Sequence, residues 1–288
     1  QEFYQKCLKC QRQLTLQKLE FLMLKLIHHP FYQIIFFAIF FGAIMLMVPK
    51  EKAEPIEKLV DGFNEVFLKM VEVVMKGAPF FVFCLLAGKI AEMAGNDPMQ
   101  VIEIFKGLTL YSLVVVIGLL FMAFIVYPTL AKIFIKGMSF SAFFKAIGKA
   151  QTVAFSTSSS AATLPVTMKC VEENLGVEQE ISSFVCPVGA TINMDGTSLY
   201  QAVAAVFIAQ ALGVELTMMD QMTIILTALM ASIGSAAVPG AGMVMLVIVL
   251  QAVGKFTPEQ IAIGLTLIFA VDRPLDMCRT VVNVTGDA

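Results

Sequence analysis

Histidine is nearly missing from this chain: there are two in 288 residues, His28 and His29, and both precede the first clear apolar span. A serine or cysteine nucleophile further along has no imidazole base, so Ser–His hydrolysis is excluded. The two histidines read instead as membrane-interface residues. An excess of charge is missing too. Only 15% of residues are charged, the formal net charge is −2, and no basic block occurs, so there is no nucleic-acid footprint. A disulfide framework is also absent. Cys7, Cys10, Cys84, Cys170, Cys186 and Cys278 are scattered, mostly in apolar segments. The single CxxC, "CLKC", has neither a second pair nor a flanking histidine to make a zinc site. No charged n-region, apolar h-region and cleavage site follow Gln1 in order. The chain stops at Ala288 inside a helical pattern, so the sequence reads as a fragment cut at both ends.

What is present is apolar. Hydrophobic residues make up 58% of the chain, more than a soluble core of this size requires, and the expected class is an all-α integral membrane protein. Residues 1–30 are polar and then amphipathic and remain unassigned. A first span is expected over about 31–48, then a charged linker, "PKEKAEPIEK", then a long helix over about 60–94 and a further span over about 108–135. Lys50, Lys52 and Lys58 after the first span, and Lys132, Lys136, Lys145 and Lys149 after the later one, place those loops in the cytoplasm. The loop near 100, with Lys106 against Asp97 and Glu103, then faces outward. The basic N-terminal stretch falls on the side the rule disfavours.

The second half carries a duplicated plan. "FSAFFKAIGKAQTVAFSTSSSAATLPVTMKCV" has two apolar flanks too short to span, joined by hydroxyl residues from Ser156 to Ser160 and ended by Pro165. "MTIILTALMASIGSAAVPGAGMVMLVIVLQAVG" repeats this around Ser232, Ser235 and Pro239. Each reads as two half-length helices meeting at a small-residue tip, and each is followed by an apolar helix interrupted by polar groups. Such internal repetition is a feature of secondary transporters.

The last helix holds "VDRPLDMCRTVVNVTGDA", with three carboxylates and two arginines. Each charge at mid-membrane costs about 2.5–3.5 kcal/mol on insertion scales, so intramembrane charges are functional by default. At about 100° per residue, Asp272, Asp276, Arg279, Asn283 and Asp287 fall within roughly 80° of arc, one stripe that can turn from lipid. The guanidinium of Arg279 fits a carboxylate and Asp276 suits an ammonium group. Together they match a zwitterion bearing an extra carboxylate. In "GATINMDGT", Gly189 and Gly196 bracket Asn193 and Asp195, and unwound carbonyls with Asn and Asp oxygens suit a hard cation, sodium above a transition metal.

In these motifs ("SSSAATLPVTM", "GATINMDGTSLYQ", "SIGSAAVPGAG", "LDMCRTVVNVTGD") the chain resembles the dicarboxylate/amino acid:cation symporter family, which includes glutamate transporters and their prokaryotic homologues. The resemblance implies a glutamate-transporter-like fold with two re-entrant hairpins in an inverted repeat. Residues 31–95 would be a partial scaffold domain, the end of helix 4 and helix 5. Residues 96–288 would be a transport domain: helix 6, hairpin 1 at about 139–169, a broken helix 7 at about 181–211, hairpin 2 at about 222–254, and helix 8 from 258. It also implies a homotrimer in the lipid bilayer.

By that resemblance Arg279 binds the solute's side-chain carboxylate and Asp276 its amino group. Ser159, Ser160, Met194, Thr197, Val238, Gly242, Thr280 and Asn283 complete the pocket. One sodium site draws on Gly189, Asn193, Asn283 and Asp287. A second uses carbonyls at Thr191, Ser232, Ile233 and Ser235, and a third uses Asp195 with Asn193. Ser158 stands where many prokaryotic relatives have arginine, and Arg273 is the candidate for the arginine missing at Met277.

The expected function is sodium-coupled symport of glutamate or aspartate by alternating access, in the cell membrane (the inner membrane in a bacterium). The rivals within transport are a proton-coupled carrier and a C4-dicarboxylate carrier, the latter disfavoured by Asp276. A non-functional fragment is a further alternative. An intramembrane aspartyl protease built on Asp195 and Asp287 lacks the first glycine of its signature, since Val284 occupies that place, and Arg279 nearby would keep both acids ionised.

Overall fold

The structure, a computed structural model, describes residues 30–94, 98–134 and 139–288. The N-terminal amphipathic stretch, with Cys7, Cys10 and both histidines, lies outside them, as does Lys136. Every regular element among the described residues is a helix. The chain divides into two compact units, Gln1–Lys69 and Met70–Ala288.

In the described part of the first unit, α1 (Pro30–Met47) leads through Pro49 into α2 (Lys50–Ala94). The expected linker is therefore wrong: "KEKAEPIEK" forms the opening turns of α2. Lys, Glu and Ala are strong helix formers, and Glu54 pairs with Lys58 one turn later at 2.6 Å, which offsets the polarity of the segment. Phe37, Phe40, Phe63 and Phe67 are exposed.

The second unit continues with α3 (Pro98–Phe121), which runs through a π-helical turn, Met122–Val126, into α4 (Tyr127–Phe134). Leu108, Tyr111, Val115 and Leu119 make one buried stripe on α3, while Leu110, Leu113, Ile117 and Phe121 on other sides are exposed. A helix apolar all round but covered on one side requires an apolar medium on the other, which a bilayer supplies. Ile102–Phe134 is the one helical run among the described residues long and apolar enough to cross a membrane, with a mean hydropathy of 2.6 over an 18-residue stretch.

Next come α5 (Phe140–Thr157) and α6 (Ser160–Leu175), then α7 (Gln179–Ile192) and α8 (Asp195–Ala211). The chain ends with α9 (Met218–Ile233), α10 (Ala241–Val253) and α11 (Pro258–Asp287). α5 packs on α6, and α9 on α10. At 1.5 Å per residue these four helices are about 20–27 Å long, short of the roughly 30 Å hydrocarbon core. Side-chain caps set the starts of α5, α6 and α9. The Ser139 hydroxyl accepts from the Ala142 amide at 3.2 Å, and Thr217 with Asp220 closes a capping box.

α11 is central, packing on α3, α5, α7 and α8. Small residues let it approach: a Cβ on Gly264 would lie 2.5 Å from Ile208 of α8. Ala150 and Ala154 of α5 meet Cys170 of α6 and Val284 of α11 in one buried cluster.

Candidate functional site

The site begins where the helix pair α7–α8 breaks. Asn193 and Met194 leave helical geometry (φ −85°, ψ 73° and φ −110°, ψ 50°), and neither helix end is capped by a local side chain. A residue 87 positions away serves instead. Asn283 of α11 accepts the Gly196 amide on Oδ1 at 2.8 Å, and its Nδ2 donates to the Thr197 hydroxyl at 3.2 Å. The fit demands glycine, because a Cβ at residue 196 would lie 2.7 Å from the Arg279 carbonyl oxygen. Backbone cannot yield as a flexible side chain can.

One turn before Asn283, the buried guanidinium of Arg279 reaches two aspartates. Nε and Nη2 both lie 2.8 Å from Asp276 Oδ1, and Nη1 is 3.6 Å from Asp272 Oδ1. Its carbon sits 4.4 Å from the centre of the Tyr200 ring, whose hydroxyl donates to Asp272 at 2.6 Å. The helical stripe read from the sequence does turn inward: Asp272, Asp276, Arg279 and Asn283 are all buried, and Asp287 is half-buried. Arg273 is 44% exposed and reaches only to 3.8 Å from Asp276 Oδ2.

The two small-residue tips close over this group. Ser159 donates to the Ala237 carbonyl at 2.7 Å, and the Ala161 amide reaches the same oxygen at 3.4 Å. The Gly240 amide donates to Asp276 Oδ2 at 2.9 Å. Gly242 lies so near the guanidinium that a Cβ there would be 2.6 Å from Nη1. Ser158, which ends α5 in the left-handed region at φ 53°, is buried between the tips.

Between these elements lies one small polar pocket. Of the solute-binding residues read from the sequence, Ser160, Met194, Thr197, Val238, Gly242, Asp276, Arg279, Thr280 and Asn283 all line it. Ser159 does not; it ties the tips together instead. Ser158, Ser235, Ala236 and Ala237 also line it. The cavity is about 20 Å³, room for about one water. Ser158 Oγ, Ser235 Oγ and Arg279 Nη1 are buried there with no hydrogen-bond partner among the described residues. Unsatisfied donors converging on one enclosed space mark a site for a polar ligand.

A second cluster lies behind the helix break. Asn193 Nδ2 donates to Asp287 Oδ1 at 3.0 Å and approaches the Asn283 carbonyl at 3.4 Å. A Cβ on Gly189 would stand 2.8 Å from the same Asp287 oxygen. Gly189, Asn193, Asn283 and Asp287, read as one cation set, are thus brought together. Asp195 takes a hydrogen bond at 3.0 Å from the Tyr127 hydroxyl, a residue 68 positions earlier.

Charge bookkeeping separates the two clusters. Asp272 and Asp276 face Arg279 and Arg273, whereas among the described residues no basic side chain pairs with Asp195 or Asp287. Two carboxylates with neutral oxygen and amide neighbours fit a hard cation. The other proposed set, backbone carbonyls at Thr191, Ser232, Ile233 and Ser235, lies on α7 and at the C-terminal end of α9, two helices that touch.

Tyr127 and Tyr200 were not picked out from the sequence. Each acts on a carboxylate about 70 residues distant, and no local pattern flags them; the nearest hint is that Tyr200 closes the quoted "GTSLYQ" run.

A family model described as the sodium:dicarboxylate symporter family matches residues 20–288. The human protein called excitatory amino acid transporter 1 is 44% identical over 255 residues, covering 88% of this chain and 45% of that protein. Human excitatory amino acid transporter 5 is 45% identical over 255 residues, with 88% and 43% covered. A Caenorhabditis elegans excitatory amino acid transporter is 45% identical over 231 residues, with 78% and 42% covered. The chain spans somewhat under half the length of these relatives.

Proposed function

The chain belongs to the sodium:dicarboxylate symporter family, a family of transporters rather than enzymes, and from that premise we propose that it carries the solute- and cation-binding half of a secondary active symporter. The solute is an acidic amino acid, glutamate or aspartate, moved with sodium ions by alternating access in the cell membrane. Arg279 receives the side-chain carboxylate, Asp276 the amino group, and the tip amides with Ser158 and Ser160 the remaining carboxylate. Asn193, Asp287 and Asp195 receive sodium. The paired short helices act as re-entrant hairpins of a transport domain, and the whole protein is a homotrimer as the family resemblance implies.

The observation that carries this reading is the position of Asn283. Its side chain bonds Gly196 and Thr197 at the solute pocket while its carbonyl approaches Asn193 in the cation cluster. A residue shared by both sites lets each ligand favour the other, at a coupling of about 1–3 kcal/mol. Admitting a solute requires the α9–α10 tip to lift, breaking the Gly240–Asp276 and Ser159–Ala237 hydrogen bonds. The test is equilibrium binding of labelled aspartate to the purified chain with and without sodium. Binding that needs sodium supports the reading; binding indifferent to sodium at every concentration defeats it.

A further inference from the structure

Two tyrosine hydroxyls reach carboxylates inside the second unit, and their surroundings differ. Tyr200 donates to Asp272, which already faces Arg279. Tyr127 donates to Asp195, which faces no basic side chain among the described residues. We propose that Tyr127 is a positioning residue of the cation site: its hydroxyl fixes Asp195 Oδ2 and so presents the remaining oxygen to a sodium ion. The inference rests on the cation-coupled reading above and adds a residue from α4 to it.

Three features converge on this assignment. The first is the π-helical turn at Met122–Val126, which ends at the residue before Tyr127. A π turn inserts one residue into the helix and rotates everything after it by roughly 100°, and such turns are rare and frequently found at functional sites. Within it Phe124 and Ile125 are exposed and Ala123 is buried, and directly after it come the half-buried Tyr127 and the buried Pro128. The second is the packing around the hydroxyl. A Cβ on Gly286 would lie 2.8 Å from Tyr127 Oη and 2.5 Å from Asn193 Nδ2, so α11 is bare where the phenol and the amide meet. The third is chemical. A phenol donates a proton without adding positive charge, so Asp195 is oriented yet stays available to a mobile cation, where a lysine or arginine would neutralise it permanently.

The experiment uses the purified chain in detergent without solute, reading the rise in melting temperature across sodium and lithium titrations. Tyr127→Phe removes the hydroxyl alone. The half-saturating sodium concentration should rise about tenfold, as expected for losing a hydrogen bond to a charged group. The preference for sodium over lithium should shrink, because a loosened carboxylate adapts to either radius. Unchanged affinity and selectivity in Tyr127→Phe would overturn the assignment. So would a parallel weakening for both ions at constant selectivity, which marks a merely structural role. If the unaltered chain shows no response to sodium, this inference falls together with the symport reading; a normal response there and in Tyr127→Phe removes only the inference.

Discussion

Replacing Arg279 with glutamine strips the buried Asp272 of its counter-charge and leaves the buried Asp276 only the exposed Arg273 at 3.8 Å. Asp276 Oδ1 lies 2.8 Å from Nη2 and Asp272 Oδ1 lies 3.6 Å from Nη1. At an effective dielectric of about 20 those contacts correspond to about 6 and 5 kcal/mol of attraction. Most of that is offset, because the substitution also ends the burial of the guanidinium, and broken buried pairs cost about 3–5 kcal/mol net. For a unit of this size that corresponds to a fall in melting temperature of about 6–20 °C, at about 2–4 °C per kcal/mol. Thermal unfolding in detergent, followed by circular dichroism, measures it. Adding Asp276→Asn to the variant should recover part of the loss, since the orphaned charge is then gone. A change under 2 °C for Arg279→Gln, or a double variant no more stable than the single, would refute the premise that this guanidinium balances the buried acids.

Other substitutions divide along the same lines. Gly196→Ala places a methyl 2.7 Å from the Arg279 carbonyl and should abolish aspartate binding. Gly148→Ala, whose added carbon meets nothing within 4 Å, should preserve binding and raise stability by up to about 1 kcal/mol in a thermal melt. Asp276→Asn should weaken glutamate binding at least tenfold in a competition assay while leaving succinate competition unchanged; intact glutamate affinity would end the ammonium role. Lys255→Met breaks the 2.6 Å pair with Asp220 at the base of α9–α10, a partly exposed bridge, and should cost no more than about 1 kcal/mol, less at high salt.

Much of the site was legible because it is periodic or compositional. The Asp272–Asp287 stripe follows from helical spacing alone, and the break at Asn193–Met194 follows from glycines and polar residues in an apolar run. What was not legible depends on pairing across distance. Tyr127 meets Asp195, and Tyr200 meets Asp272, only because α4 and α8 pack beside the break and beside α11. The π turn has no composition of its own: "MAFIV" is as apolar as its neighbours. The opening of α2 carries the charge of a loop, yet its Glu, Lys and Ala favour a helix even when solvated.

The central claim is that Asn283 joins the solute pocket to the cation cluster. Aspartate affinity measured at 1 and at 100 mM sodium, for the unaltered chain and for Asn283→Ala, tests it most directly. The account predicts at least a tenfold tightening with sodium in the unaltered chain, within the usual range of coupling energies, and little or none in the variant. An equal sodium dependence in both would contradict it.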